Sequence, residues 1–231
     1  MYYIDENYKK VNIDIQSYKI FDVGGCGEIY RNKDEILKKY YPRTDRLHRL
    51  KIKEFNLLKQ INHTNFIKLH KIYMICNKPS IIKKYLVDLY TAKYYQKEDI
   101  TPAFLNKDYL LENFSSIEDL FQIFSDNKIK TYDIKLYNTV FTKDFIVIID
   151  PDLYELSNDK INKIKVWNKN NLFKLFTEIL LAGLKDCDWT NMFCWIYDNF
   201  NPEKINENTD LAHELSKKLQ YVKRPIEVIR K

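Results

Sequence analysis

Glycine is nearly absent from this chain of 231 residues, except at one place. Average usage of about 7% would give roughly 16 glycines in a chain of this length, whereas this one has 4. Gly24, Gly25 and Gly27 fall within four consecutive positions. Glycine is required where the backbone takes a positive φ or passes close to another group. The sequence therefore predicts one tight turn near this point, between two extended segments.

The composition excludes a disordered chain and a membrane-spanning one. Hydrophobic residues make up 45% of the chain and aromatic residues 15%, which is enough to bury a sizeable core. No apolar run approaches the ~20 residues that cross a bilayer, so no association with a membrane is expected. The start, MYYIDENYKK, shows no secretory signal, and the four cysteines show no CxxC spacing. We expect a cytoplasmic protein with reduced thiols.

The two parts of the chain differ in predicted secondary structure. Periodicity predicts short strands and one helix in residues 1–84, and mostly helices in residues 85–231. The predicted strands are 16–22, 28–31, 35–40, 66–75 and 80–86, followed by a hairpin over 139–149. The predicted helices are 44–61, 104–127 with a restart at Ser115, 170–184, 190–199 and 209–219. We expect an α+β fold in which one domain, residues 1–231, has a β-rich N-lobe and a helical C-lobe.

In the first part of the chain, Lys38 is a candidate for phosphate binding and Glu54 is a candidate partner for Lys38. Lys38 lies on the third predicted strand, eleven residues after Gly27, and strand alternation puts Lys39 on the opposite face. A glycine turn lets backbone N–H groups approach phosphate oxygens, and Lys38 would project towards them. Glu54 falls on the apolar face of the predicted helix, where a carboxylate needs a partner such as Lys38. The alternatives are an ordinary glycine hairpin, a solvated lysine and a carboxylate at the rim.

A second group of polar residues follows the long predicted helix. Asp133, Lys135 and Asn138 lie within six residues, and Asp150 follows Asn138 by twelve, after the apolar run FIVII. Phosphoryl transfer needs a carboxylate beside the attacking hydroxyl, and carboxylate and amide oxygens for Mg²⁺. Asp133, Asn138 and Asp150 supply these groups. Lys135 can neutralise the charge on a phosphoryl group in transfer.

In their order along the chain, these motifs resemble those of the eukaryotic-like protein kinase superfamily, in a compact bacterial-type form that covers nearly the whole chain. The resemblance implies a two-lobed fold, residues 1–84 and 85–231, with ATP and Mg²⁺ between the lobes. It assigns Gly24, Gly25 and Gly27 to the loop over the phosphates, with Lys38 as the strand lysine, Glu54 as its helix partner, and His63 and Asn65 in the turn that follows. It makes Asp133 the catalytic aspartate with Lys135 beside it, and Asn138 and Asp150 the metal ligands. The hinge falls at 83–86, where Lys83 and Tyr85 would bind adenine.

The chain also departs from the family pattern. Asp22 stands where the first loop glycine is usual, and Ile36 replaces a small residue above adenine. Thr131-Tyr132 replaces the usual His-Arg, so there is no arginine at this position to bind a phosphate on the activation segment. Asp150-Pro151-Asp152 replaces Asp-Phe-Gly. We expect Asp152 to be solvated or to cap a helix, with assistance to a metal ion as the alternative. The stretch from 151 to about 167 lacks an Ala-Pro-Glu ending, which implies an abbreviated substrate platform.

The expected activity is that of a Ser/Thr protein kinase with a protein substrate, an inference that depends chiefly on Lys135. A small-molecule kinase of the aminoglycoside or sugar type remains an alternative because the segment after Asp150 is short. A non-catalytic pseudokinase that acts by binding is a third, favoured by the altered glycine loop. Nucleic acid is not an expected partner, because a basic run such as the one at 43–59 usually forms the solvated face of a helix.

Overall fold

The computed structural model describes residues 2–4, 9–12, 14–24, 27–33, 35–41, 51–75, 78–84, 90–91, 107–182 and 205–214. These residues form an antiparallel sheet in the N-terminal region, followed by a region dominated by two long helices. The arrangement confirms the predicted α+β class. In this part of the chain, no helix combines the length and the apolar character that crossing a membrane requires.

The main sheet has seven antiparallel strands in the order β2-β1-β6-β7-β5-β4-β3. Its strands are β1 (Tyr2–Ile4), β2 (Lys10–Asn12), β3 (Lys19–Val23), β4 (Gly27–Asn32), β5 (Glu35–Tyr40), β6 (Leu69–Ile75) and β7 (Lys78–Lys84). β5 lies between β4 and β7, with Lys38 opposite Ile29 on one side and Ile81 on the other. Lys38 is therefore held on both flanks by backbone pairing.

Five shorter strands complete the sheet structure. They are β8 (Tyr90–Thr91), β9 (Ile129–Lys130), β10 (Thr139–Phe141), β11 (Ile146–Ile148) and β12 (Glu155–Leu156). β8, β10 and β11 form one sheet, and β9 pairs with β12. β10 and β11 make the predicted hairpin, whose turn is closed by the Thr142 N–H donating to the Phe145 carbonyl oxygen at 2.8 Å.

The strand prediction was correct for β5 and wrong at the start of β3. Residues predicted to begin that strand form a turn of 3₁₀ helix, Ile15–Ser17, instead. The Ser17 hydroxyl donates to the Asp14 carbonyl oxygen at 2.7 Å, and the Gln16 N–H donates to the Asp14 carboxylate at 3.2 Å. Such short-range side-chain hydrogen bonds compete with strand pairing, so the strand begins only at Lys19.

Three helices are described in full, α1 (Ile52–Leu58), α2 (Lys107–Asp126) and α3 (Ile161–Ala182), with one more helical turn at residues 211–214. The predicted restart within α2 is wrong, because Ser116 lies inside a continuous helix and its hydroxyl donates to Asn65 Oδ1 at 2.5 Å. α3 begins nine residues before the predicted start at 170, because its first turns bury Ile164 and Asn168 among many polar residues. The predictions for 42–50 and 190–199 lie outside the described residues.

The core of the helical region is aromatic. Phe114 of α2 stacks on Phe176 of α3 with ring centroids 3.9 Å apart. Phe124 meets Phe66 and Tyr154 edge to face, at 5.3 Å and 5.4 Å. Burial of a phenylalanine contributes roughly 1.5–3 kcal/mol to stability. Because Phe66 follows α1 and Tyr154 follows Asp150, this core also fixes the segments that carry the candidate site.

Asn168 is a buried hydrogen-bonding centre between α3 and the segment before Asp133. Its Oδ1 accepts from the backbone N–H and the hydroxyl of Thr131, at 2.9 Å and 3.0 Å. Its Nδ2 donates to Ser125 Oγ and to the Ile129 carbonyl oxygen, both at 2.9 Å. The four hydrogen bonds satisfy a fully buried amide and fix the start of the loop that leads to Asp133.

Candidate active site

Lys38 occupies the centre of the site, on β5. Its Nζ lies 2.9 Å and 2.8 Å from the two carboxylate oxygens of Asp150, and 2.5 Å from Asp152 Oδ2. The ammonium also lies 5.5 Å from the centre of the Tyr40 ring. Strand alternation explains why the neighbouring Lys39 is on the other face, where it reaches Glu28 at 3.6 Å.

The charge on Lys38 is stabilised by its two partners. Burial favours the neutral amine, but the carboxylates of Asp152 and Asp150 outweigh it and raise the pKa of Lys38 above its usual value. The side chain of Lys38 is 11% exposed and that of Asp152 is 9% exposed. The expectation that Asp152 is solvated or caps a helix is therefore wrong, since it is a buried ion-pair partner.

Asp150 and Asp152 lie on a turn that follows β11. The Ile149 N–H donates to the Asn138 carbonyl oxygen at 3.0 Å, and the Tyr154 N–H donates to the Pro151 carbonyl oxygen at 3.1 Å. The first bond joins this turn to the loop of Asp133, and the second closes it.

Asp133, Lys135 and Asn138 form a second cluster. Lys135 Nζ lies 2.7 Å and 2.8 Å from the Asp133 carboxylate oxygens. Asn138 Nδ2 donates to the Asp133 carbonyl oxygen at 2.7 Å and to its carboxylate at 3.1 Å. The Asp133 side chain is 40% exposed, so solvent or a substrate can reach it. The backbone of Asp133 is left-handed, with φ of 53°, a conformation that aspartate tolerates better than most residues.

Tyr154 lies near both clusters, and no motif in the sequence indicated its position. Burial raises the pKa of Tyr154 well above its usual value, and the carboxylates of Asp150 and Asp133 raise it further. Its hydroxyl is buried and has no hydrogen-bond partner among the described residues. Burial first, and the two nearby carboxylates second, therefore favour the protonated phenol. No sequence spacing marks such a residue, because its role depends on the packing of the aromatic core.

Glu54 is buried on α1 as predicted, but its partner differs from the prediction. Its Oε1 accepts the Leu156 N–H at 3.4 Å, and Oε2 has no hydrogen-bond partner in the described part of the chain. Among the described residues there is no ion pair between Glu54 and Lys38. The carboxylates on Lys38 come instead from the turn after β11.

The glycine turn has a steric cause at one position. A Cβ at Gly27 would lie 2.4 Å from the Lys39 carbonyl oxygen, so β4 and β5 leave no room for a side chain. A Cβ at Gly24 would meet nothing closer than the Gly27 carbonyl oxygen at 3.7 Å, and the Gly24 N–H donates to that oxygen at 2.9 Å. Neither glycine has a positive φ. Gly25 lies outside the described residues.

Only the start of the predicted hinge is described. The backbone of Lys83 lies on β7, opposite Ile36 of β5. Tyr85 lies outside the described residues, so the structure gives no arrangement of the adenine-binding groups.

The oxygen donors fit a magnesium site in their chemistry. Asp150 supplies a carboxylate and Asn138 a side-chain amide, both hard oxygen ligands, and the backbone bond between Ile149 and Asn138 holds their segments together. Both carboxylate oxygens of Asp150 accept from Lys38, so a metal ion would compete with the lysine for this carboxylate. No group of three or more His, Cys, Asp or Glu side chains suited to a metal ion occurs among the described residues.

Comparison with known proteins adds no family assignment. No model of a known protein family matches the chain, and no curated protein matches it either. The motifs and the geometry around Lys38 are therefore the observations on which a function can be argued.

Proposed function

We propose that this chain is an ATP- and Mg²⁺-dependent phosphotransferase with a two-lobed, protein-kinase-like fold of residues 1–84 and 85–231. The observation that carries the proposal is the contact between Lys38 and Asp150, which are 112 residues apart. Lys38 belongs to the motif predicted to bind phosphate, and Asp150 belongs to the motif predicted to bind the metal ion. A lysine and an aspartate with these two roles must lie close together in any site that handles Mg·ATP.

Each cluster has a distinct role in the proposed reaction. Lys38 binds phosphate oxygens, and the exposed carboxylate of Asp133 orients the acceptor hydroxyl and takes its proton as the new P–O bond forms. Lys135, 2.7 Å from Asp133, places a positive charge beside the transferred group. Asn138 and Asp150 would hold Mg²⁺, which neutralises the charge on the phosphates.

The proposed acceptor is a Ser or Thr hydroxyl of a protein, because Lys135 resembles the corresponding lysine of Ser/Thr protein kinases. The segment between Asp150 and α3 comprises only residues 151–160, which is shorter than the stretch to about 167 inferred from the sequence. A short segment offers little surface for a peptide. This observation favours a small-molecule hydroxyl as the second candidate acceptor.

Transfer of label from ATP tests the proposal. With Mg²⁺ and [γ-³²P]ATP, the protein is expected to label itself or an offered hydroxyl acceptor, read by autoradiography and mass spectrometry. Asp133→Asn is expected to reduce the rate about 10²-fold or more, since it removes the proton acceptor. Asp126→Asn is the matched control, because Asp126 is an exposed aspartate at the end of α2.

The acceptors to be compared are peptides, sugars and aminoglycosides. Transfer to a Ser or Thr peptide supports the protein-kinase form, and transfer to a sugar or aminoglycoside alone supports the small-molecule form. Undiminished transfer by Asp133→Asn would remove Asp133 from its role, and no transfer to any acceptor would contradict catalysis.

A further inference from the structure

We propose that Asp152, rather than Glu54, is the positioning residue that holds Lys38 for phosphate binding, while Asp150 is the exchangeable partner that moves to the metal ion. The inference rests on the proposed function, since it assigns a role within the same site. It is drawn from the contacts of two carboxylates with one ammonium, and from the contact that Glu54 makes with Leu156 instead. The motif resemblance gave Asp152 no role and gave Glu54 this one.

Distance and burial separate the two aspartates on Lys38. Asp152 contacts Lys38 through one oxygen at 2.5 Å, whereas Asp150 contacts it through both oxygens, at 2.8 Å and 2.9 Å. The Asp152 side chain is 9% exposed and that of Asp150 is 26% exposed. Separating a carboxylate from its cation costs more free energy where the carboxylate is buried than where water can solvate it. Asp150, which water reaches, can exchange one cation for another at much lower cost.

The turn between the aspartates restricts their relative movement. Pro151 fixes its own φ, and its carbonyl oxygen accepts the Tyr154 N–H at 3.1 Å. The Tyr154 ring is anchored against Phe124 in the core. Asp152 is therefore presented to Lys38 from a rigid support.

Glu54 is engaged by the same segment in another way. It accepts the Leu156 N–H at 3.4 Å, which ties α1 to β12. The residues after Asp150 thus provide Lys38 with a carboxylate from Asp152 and provide Glu54 with a donor from Leu156. The interaction expected between α1 and β5 is replaced by two interactions with this segment.

A double-mutant cycle on the free energy of unfolding in urea, without nucleotide, tests the pairing. The variants are Lys38→Met, Asp152→Asn and their combination, with Lys38→Met and Glu54→Gln as the matched cycle. We expect Asp152→Asn to recover most of the stability that Lys38→Met loses, whereas the effects of Lys38→Met and Glu54→Gln should add. Additivity in the Asp152 cycle, or equal coupling in both, would overturn the inference. If Lys38→Met alone does not fold, recovery of folded protein by Asp152→Asn and not by Glu54→Gln is the same test.

Binding of ATP in EDTA tests the positioning role separately from the metal. Asp152→Asn is expected to raise the dissociation constant about tenfold, and Asp152→Glu to recover most of that loss, because a carboxylate again meets Lys38. Asp126→Asn serves as the control, with the dissociation constant unchanged. An unchanged dissociation constant in Asp152→Asn would overturn this inference but not the proposed function. Absence of ATP binding by the unaltered protein, with or without Mg²⁺, would overturn the proposed function as well.

Discussion

Lys38 carries its charge where burial alone would favour the neutral amine. Two carboxylates reverse that preference, and the alternation of β5 places the ammonium beside them. The strand period predicted that Lys38 and Lys39 lie on opposite faces, and the glycine turn indicated which of the two faces the site. The identity of its partners could not, because an ion pair between residues 38 and 152 depends on how the turn after β11 is folded onto the sheet. The burial of Glu54 was predicted correctly because it depends on the apolar face of one helix. Its contact with Leu156 was not predicted because it depends on how a distant segment packs against that helix.

His63 provides a prediction for the pH dependence of stability. Burial lowers the pKa of His63 below its ordinary value, opposed by the nearby Asp119, and its Nδ1 accepts the Asn65 N–H at 3.2 Å. The unfolded chain therefore binds the proton more tightly than the folded one, so this contribution to stability is complete above about pH 6.5 and is lost as the pH falls through the folded pKa. We expect the free energy of unfolding, measured with urea, to decrease between about pH 7.5 and pH 5.5.

The matched variant for this titration is His63→Asn, which keeps an acceptor near the position of Nδ1 and does not titrate. Its unfolding free energy should decrease less over the same interval. Equal slopes for the two proteins would show that other groups cause the pH dependence.

At the scale of elements, the packing of β4 against β5 predicts a difference between two glycines. Gly27→Ala forces a Cβ to within 2.4 Å of a backbone oxygen, and the strands must move apart, so we expect a loss of about 1–3 kcal/mol. Gly24→Ala meets only an ordinary van der Waals contact at 3.7 Å and should change stability by less than about 0.5 kcal/mol. Urea unfolding of both variants measures the difference. Equal losses would mean that the crowding at Gly27 is relieved by other movements.

Elements with a regular pattern were the ones that the sequence predicted well. β5 was predicted to the residue because turn signals bound it on both sides, at 32–34 and at Pro42. The hairpin of β10 and β11 follows from two apolar runs around 142–144. β1 and β2 have three residues each, too few to show a period. The first turns of α3 were missed because they bury Asn168, and an asparagine in a core contributes nothing to an apolar pattern.

At the scale of the whole molecule, two distant parts of the chain contribute to one site. The change from strands to helices along the sequence predicted the α+β class, and the glycine count indicated where the first part turns. The sequence could not show that Gly27 is required by strand packing, because residue type alone does not distinguish crowding by a neighbouring strand from approach by a phosphate.

Thermal unfolding is the measurement suited to this scale. Nucleotide that binds only the folded protein raises its stability by about 2.7 kcal/mol at 100 times the dissociation constant, which corresponds to roughly 5–10 °C in a protein of this size. We expect Mg·ATP to produce such a shift, and Lys38→Met to reduce it sharply. No shift at millimolar Mg·ATP would favour the pseudokinase alternative, in which the protein acts by contact alone.

The left-handed backbone of Asp133 determines which substitution can report on its chemistry. At φ of 53°, alanine would add about 1–2 kcal/mol of backbone strain. Loss of activity in an alanine variant would then have two causes that the assay does not separate, the deformed loop and the missing carboxylate. Asparagine adopts this conformation readily and differs from aspartate by a single atom of the side chain. The shape of the loop thus makes a nearly isosteric replacement the only informative one at this position.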